Sequence, residues 1–401
     1  MRLRWDVGLG RDLGLAFWAM TLFEATFGAY TSIWPLWIED RGAPIALVGL
    51  VLGSAGFIRP FIIGPSSWLT ERFDRKRLLI ASRICGMAGL TIAAFAQVWQ
   101  ILFVTVLLNA MSEIVFPVMQ TYVAERAVED RARAFSMVIN VGPSIALIFT
   151  PLISGALVAL GGMQLAFFLG VATSFASILV MLNMDLSLPP ADETAGETTR
   201  GTYQEVLAKG PIRNLLILHG CSILALAIGV TLVPNFLKDT RGMDAAIIAT
   251  LGAGAAVGTL IYGLLVSRTP SLSNNPLRAA AISCAATAVG LIIFAFSYTI
   301  PWIAFAFLLR GGMFATWAML LAEMGEIASA RLRSRAFAVM EILGGSAMSI
   351  GPILAAQLYR VDPATPVIAG AMLGGVMAAT LGIVHWRRLS SAPKESSTVL
   401  V

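Results

Sequence analysis

The sequence predicts an all-α membrane protein: twelve transmembrane helices in two six-helix bundles related by a parallel repeat. Composition is the first observation behind this. Of 401 residues, 57% are hydrophobic and 13% charged, and mean hydropathy is +0.81. A soluble domain has about 45–50% and about 25%, so a water-soluble enzyme and a disordered chain are both excluded. The other two observations are a one-sided distribution of basic residues and an internal repeat.

Crossing a bilayer core as helix takes roughly 20 apolar residues. Twelve stretches qualify: 13–37, 45–68, 78–97, 100–124, 134–160, 163–184, 213–236, 245–267, 278–298, 301–324, 336–359 and 366–386. The first follows Arg2, Arg4 and Arg11 and is too long for a signal-peptide core, so it counts as a span. The alternating ten-residue strands of a membrane barrel are absent. With the N-terminus placed inside, 21 of the 28 Lys and Arg residues fall on inner segments. Four fall on outer loops (Arg41, Lys238, Arg241, Arg360) and three within spans (Arg59, Arg83, Arg310). This is the positive-inside pattern. It predicts cytoplasmic N- and C-termini in the cytoplasmic (inner) membrane, and it explains the net charge of +5 without a nucleic-acid partner. Trp34, Trp37, Trp99 and Trp302 at outer ends, with Trp5, Trp68 and Trp386 at inner ends, form the expected aromatic belt.

The polar stretch from Asp185 onward, with Pro189-Pro190 and several acids, divides six spans from six and holds a short amphipathic helix near 203–209. The predicted domains are therefore 1–184, a cytoplasmic linker 185–212, a second bundle 213–390 and a tail 391–401. The halves resemble each other. Glu125 maps to Glu326 at an offset of 201, Arg131-Ala-Arg133-Ala-Phe135 to Arg333-Ser-Arg335-Ala-Phe337 at 202, and Thr150–Gly155 to Gly351–Ala356 at 201. Six spans are an even number, so both halves keep one orientation.

Charges at mid-bilayer cost about 2.5–3.5 kcal/mol each on insertion scales, so each needs a reason. Glu24, Arg59 and Glu113 lie twelve residues from the inner-end markers Asp12, Glu71 and Glu125. A helix rises 1.5 Å per residue, which puts all three about 18 Å deep. Two acids and a base at one depth form a candidate proton-coupling cluster, because burial favours a neutral carboxyl and a neighbouring guanidinium a charged one. The alternative is a structural ion pair. Arg83 and His385 lie near enough to the inner face to snorkel. Helical spacing gives cavity-facing stripes: Thr21, Glu24, Gly28, Thr31 and Pro35 in span 1; Asn109, Ser112, Glu113 and Gln120 in span 4; Arg310, Phe314 and Trp317 in span 10. Trp18, Tyr30, Phe116, Phe314 and Trp317 would supply an aromatic, largely apolar wall. Arg310 lies nearer the outer face and is placed to meet an anionic group or a carbonyl. His219 and Glu341, about six residues from their predicted inner ends, read as gate or packing residues, with His219 at the edge of the cavity and Glu341 in the gate. Pro143, Pro151 and the Gly351-Pro352 pair are candidate helix bends. Gly49/Gly53, Gly254/Gly258 and Gly370/Gly374 allow close helix contact.

Between spans 2 and 3 the chain reads Leu69-Thr70-Glu71-Arg72-Phe73-Asp74-Arg75-Lys76-Arg77. With the repeat, this resembles the major facilitator superfamily, whose marker there is G-x-L-A-D-R-x-G-R-K/R. Leu69, Glu71, Arg72 and the basic run match, while Ser67 and Asp74 replace the two glycines. A looser likeness to the exporter pattern G-x-x-x-G-P-x-x-G-G runs from Ala146 through Pro151 to Gly155, with two glycines missing. The resemblance implies a carrier whose spans 1, 4, 7 and 10 line a cavity while 3, 6, 9 and 12 face lipid. It also implies a cytoplasmic gate of Leu69, Glu71, Arg72, Arg75, Lys76, Glu125, Arg131, Glu326, Arg335 and Glu341. In it, Glu71 would face the N-terminus of span 11, where the helix dipole favours a carboxylate.

The expected activity is proton-coupled efflux of an amphiphilic, drug-like small molecule by a monomer, with uptake of a sugar or organic acid as the alternative and a receptor as a weaker one. The thin polar stock favours apolar cargo. No cofactor or metal is implied: three cysteines and two histidines give no ligand cluster. No phosphate loop G-x-x-x-x-G-K-[ST] or catalytic Ser/His pair supports an enzyme.

Overall fold

The computed structural model describes residues 5–63, 73–127, 131–185 and 202–391, and among these every regular element is helical. Helix α1 runs Arg11–Tyr30 and resumes as Trp34–Asp40; α2 is Ile45–Ile63; α3 is Arg75–Phe95. Helix α4 comes in two pieces, Leu102–Ser112 and Val115–Arg126. Helix α5 passes through a π-helical stretch, Ser136–Val141, into Gly142–Gly161, and α6 is Gln164–Leu182. In the second half α7 is Gly210–Val230 and Val233–Arg241, α8 is Ala245–Arg268, and α9 is Pro276–Phe296. Helix α10 is Ile300–Arg310 and Gly312–Ile327, α11 is Ala330–Tyr359, and α12 is Thr365–Ser391. Among the described residues nine helices are long and apolar enough to cross a membrane, and two more stretches are shorter apolar helices. The short linker helix Tyr203–Ala208 is also present, its first turn capped by the Thr202 hydroxyl accepting from the Glu205 amide.

The interruptions have local causes. Thr31 and Thr231 end the first parts of α1 and α7, and their hydroxyls donate back to the carbonyls of Phe27 (2.5 Å) and Ala227 (2.6 Å). Pro35 and Pro234 then open the second parts, where the missing amide is tolerated. Helix α10 breaks at Gly311 where it crosses α8. A Cβ there would lie 2.4 Å from the Ala255 carbonyl oxygen. Helix α4 breaks at Glu113, so this carboxylate sits on an opened turn. Of the expected bends, Pro143 follows the π-helical stretch, whereas Pro151 and Pro352 lie inside helices that continue. A Cβ on Gly351 would stand 2.6 Å from that of Ala227, so this glycine admits α7. Asp74, standing where the family has a glycine, caps α3 by accepting from the Arg77 amide at 2.9 Å.

Helix α1 packs on α5 and α6, α3 on α4 and α6, and α2 on α4. In the second half, α7 packs on α11 and α12, α9 on α10 and α12, and α8 on α10. The two sets meet mainly along α2/α11 and α5/α8. Glycines make these seams tight. A Cβ at Gly49 would sit 2.4 Å from the Pro352 carbonyl oxygen, at Gly53 2.3 Å from that of Ser349, and at Gly155 2.0 Å from the Thr250 hydroxyl. These approaches lie toward the end remote from the chain termini (the far end). There the continuations of α1 and α7 also meet: Lys238 pairs with Glu39 at 3.2 Å and Asn235 donates to Glu39 at 2.8 Å.

Candidate functional site

On the terminal side of this seal lies a cavity of about 470 Å³ shared by the two sets of helices. Helix α2 contributes Leu52, Ala55 and Gly56, and the opened turn of α4 contributes Glu113. Helix α10 contributes Met313, Phe314 and Trp317, and α11 contributes Glu341, Gly345 and Met348. Phe314 leaves 57% of its surface uncovered. The wall is thus largely apolar and aromatic, with a carboxylate from each half. Trp317 Nε1 donates to Glu341 Oε1 at 3.3 Å, and the fully buried His219 stands edge-on behind the indole, centroids 5.1 Å apart.

Beside the cavity, in the first half, Glu24, Glu113 and Tyr30 share one electrostatic environment with Arg83. Arg83 does not snorkel. It is 1% exposed, with one guanidinium nitrogen donating to Thr26 Oγ1 (3.0 Å) and Ser174 Oγ (2.9 Å) and its Cζ 4.7 Å from the centre of the Phe23 ring. Hydroxyls from α1 and α6 hold this cation inside the helix set. The Arg59 side chain lies outside the described residues, so the base of the cluster with a described position is Arg83.

The other expected wall residues separate. Thr21 and Gly28 face α5 rather than the cavity: Cβ atoms on Gly142 and Gly28 would meet Thr21 Oγ1 at 2.3 Å and Thr150 Cβ at 3.2 Å. Ser112 packs against Gly86 of α3. Tyr30 is buried, stacked on Phe167 (5.7 Å), and its hydroxyl accepts from Asn109 Nδ2 at 3.2 Å. Phe116 lies edge-on to Phe23 at 5.0 Å. Thr31 and Gln120 are exposed. Trp18 is turned to the N-terminal segment, donating to the Trp5 carbonyl at 2.8 Å. Arg310 is one turn beyond Phe314 toward the far end, with its guanidinium 5.8 Å from the Phe307 ring centre.

Of the expected gate, Leu69, Glu71 and Arg72 lie outside the described residues, as do the side chains of Glu125 and Arg131. Lys76 donates to the carbonyls of Leu182 (2.6 Å) and Met184 (3.0 Å), so it finishes α6 within its own half. Arg335 lies over the Tyr203 ring (5.4 Å), and its neighbour Arg331 pairs with Glu205 at 2.5 Å, tying the linker helix to α11. Glu326 is exposed, and Arg75 keeps a contact of its own. Glu341 lines the cavity wall.

The far-end pair Glu39 and Lys238 is not among the residues expected from the sequence, where the lysine counts only as an outer charge. A signal was available: both follow a Pro-containing turn at the end of α1 and α7, one repeat apart.

The family model described as Major Facilitator Superfamily matches residues 16–352. The chain is 23% identical over 357 residues to the "Uncharacterized MFS-type transporter YtbD" of Bacillus subtilis (strain 168), covering 88% of this chain and 84% of that protein. Solved structures with the same fold include a point mutant of the nucleoside transporter NupG, with TM-score 0.75 at 15% identity, covering 94% of this chain and 99% of that one. Another is the peptide transporter POT in complex with sulfate, with TM-score 0.70 at 16% identity and 94% of each chain covered. The human organic anion transporter MFSD10 (TETRAN) gives a TM-score of 0.64 at 13% identity, covering 93% of this chain and 99% of that one.

Proposed function

Since the chain belongs to the Major Facilitator Superfamily, we propose that this multi-pass membrane transporter exports an amphiphilic small molecule in exchange for protons, by alternating access. One observation carries the reading: a mainly apolar and aromatic cavity between the two sets of helices, closed at one end by glycine-lined seams, with Glu113 on its wall. Two bundles, 1–184 and 213–390, rock about this cavity as single monomers in the cytoplasmic membrane. On this reading the terminal side is cytoplasmic, which the basic-residue distribution supports, and a cavity open on that side is the inward-facing one.

Proton coupling falls to Glu24 and Glu113, with Arg83 and Arg59 as the cations of the cluster. In a membrane interior a carboxylate is stable charged beside a guanidinium or neutral when protonated. A local rearrangement within the first bundle that changes the distance between acid and cation therefore loads and releases a proton. The Arg83 guanidinium is fixed by Thr26 and Ser174, which leaves the carboxylates as the moving partners.

The test is everted membrane vesicles holding a pH gradient, challenged with a panel of amphiphilic cations, anions and neutral compounds. Wild type dissipates the gradient with at least one of them and accumulates that compound. Glu24→Gln and Glu113→Gln lose uphill movement while keeping downhill exchange. If both variants accumulate cargo as wild type does, the coupling assignment is wrong.

A further inference from the structure

We propose that the cavity is a binding site for a lipophilic organic cation, whose charge is taken by Glu341 and whose apolar groups lie on Trp317 and Phe314. The proposal rests on the transport reading for the claim that this cavity receives cargo, and it adds the cargo's chemical class.

Glu341 stands on α11 within a membrane helix and lines the cavity. Among the described residues its hydrogen-bond donor is the Trp317 indole N–H at 3.3 Å, a long contact from a neutral group. Its side chain is exposed at the wall, so the carboxylate is open to a counter-charge that enters the cavity. Glu113 faces the same space from the other half, so the described wall carries two acids. None of the described lining residues is Lys or Arg. Arg83 is engaged by Thr26 and Ser174 away from the wall, and Arg310 lies beyond Phe314 toward the far end. A cation entering from the terminal side therefore meets acid without meeting a fixed base among these lining residues.

Ring placement supports the same class. Trp317 is held from two sides, by its bond to Glu341 and by the edge-on His219, whose burial fixes it behind the indole. Phe314, one turn away, is 57% uncovered. The negative face of an aromatic ring attracts a nearby cation, most strongly where water is excluded. A volume of about 470 Å³ falls within the range of drug-sized pockets. Two rings beside a carboxylate give a delocalised cation with apolar substituents both its charge partner and its surface, whereas an organic anion would meet repulsion from both acids.

The experiment measures binding on the purified full-length chain in detergent, with radiolabelled tetraphenylphosphonium as probe. Tetraphenylborate, of the same shape and opposite charge, is the competitor. Wild type binds the probe saturably, and tetraphenylborate does not displace it. Glu341→Gln weakens binding by about tenfold or more, the effect of losing one charge contact. Glu341→Asp, which keeps the charge on a shorter arm, falls between the two. Phe314→Ala weakens binding with no change of charge. Elution profile and thermal unfolding certify that each variant is folded. Three results overturn the proposal: no saturable binding by folded wild type, equal affinity in Glu341→Gln, or equal displacement by tetraphenylborate. No gradient or cargo movement enters the measurement. A chain that binds the probe but does not move it contradicts the transport reading alone. One that transports other cargo and ignores the probe contradicts this inference alone.

Discussion

Arg41 closes the first half at the far end as Arg241 closes the second. Arg41 donates to the Ala96 carbonyl at the end of α3 (3.0 Å) and lies over Trp37 at 4.0 Å. Arg241 donates to the carbonyls of Ala295 (2.6 Å) and Ser297 (3.0 Å) at the end of α9 and lies over Tyr298 at 3.8 Å. Each is followed by a glycine at positive φ, Gly42 at 88° and Gly242 at 63°. At mid-membrane the likeness stops. One repeat on from Glu24, Arg83 and Glu113, at offsets of 200 to 201, stand Leu224, Cys284 and Phe314. The repeat preserves the parts that hold helices together. The two acids and the cation of the cluster stand in one half only, and that is the half to which coupling is assigned; the ring in the place of Glu113 lines the cavity.

This contrast orders the expected effects of substitution. The largest is at the centre. Arg83→Met removes the described cation beside Glu24 and Glu113, and uphill transport is expected to be abolished with a clear fall in unfolding temperature. Its counterpart Cys284→Ala leaves transport intact and costs no more than about 1 kcal/mol. Vesicle transport and thermal unfolding compare the two, and equal losses would break the asymmetry. Next is the seam between halves. Gly49→Leu drives a side chain into the Pro352 carbonyl and Ala356, whereas Gly375, with nothing within 4 Å of its would-be Cβ, faces open space. Gly49→Leu is expected to keep the far end unsealed, so that a far-side impermeant thiol reagent reaches a cysteine placed on the cavity wall; Gly375→Leu is expected to leave labelling as in the parent.

Smaller effects are expected where the repeat holds. Arg41→Ala loses one charge-assisted bond to a helix-end carbonyl and Arg241→Ala two, each worth about 1.5–3 kcal/mol, and both unfolding temperatures are expected to fall. The smallest effect is at the pair Glu39–Lys238, whose side chains are 27% and 44% exposed. Glu39→Gln is expected to cost about 0–1 kcal/mol in stability and to show mainly as faster opening of the far end.

Length and apolarity made the spans legible, since a helix in lipid has to satisfy its own backbone. They could not show where α1, α4, α7 and α10 break. Those breaks depend on Thr31 and Thr231 bonding backwards and on Gly311 touching α8, contacts that leave hydropathy unchanged. Arg83 was misread for a related reason. Eight residues from the start of α3, about 12 Å in, it is within snorkelling reach of water, and the hydroxyls that hold it inside come from α1 and α6. The depth of Glu341 is hard to read from sequence because the basic turn Arg331–Arg335 hides the start of α11, which begins at Ala330. Thr21 and Gly28, expected to face the cavity, face α5, since period alone does not say which neighbour a face meets.

Alternating exposure of the cavity is the claim on which coupling and cargo class both depend. It is tested most directly with Ala318→Cys, on the cavity wall, in a chain whose Cys85, Cys221 and Cys284 are replaced by Ala. A membrane-impermeant thiol reagent is applied to one side at a time. The account predicts labelling from the terminal side at rest and from the far side once cargo and a pH gradient are supplied. Labelling confined to one side under both conditions would contradict it.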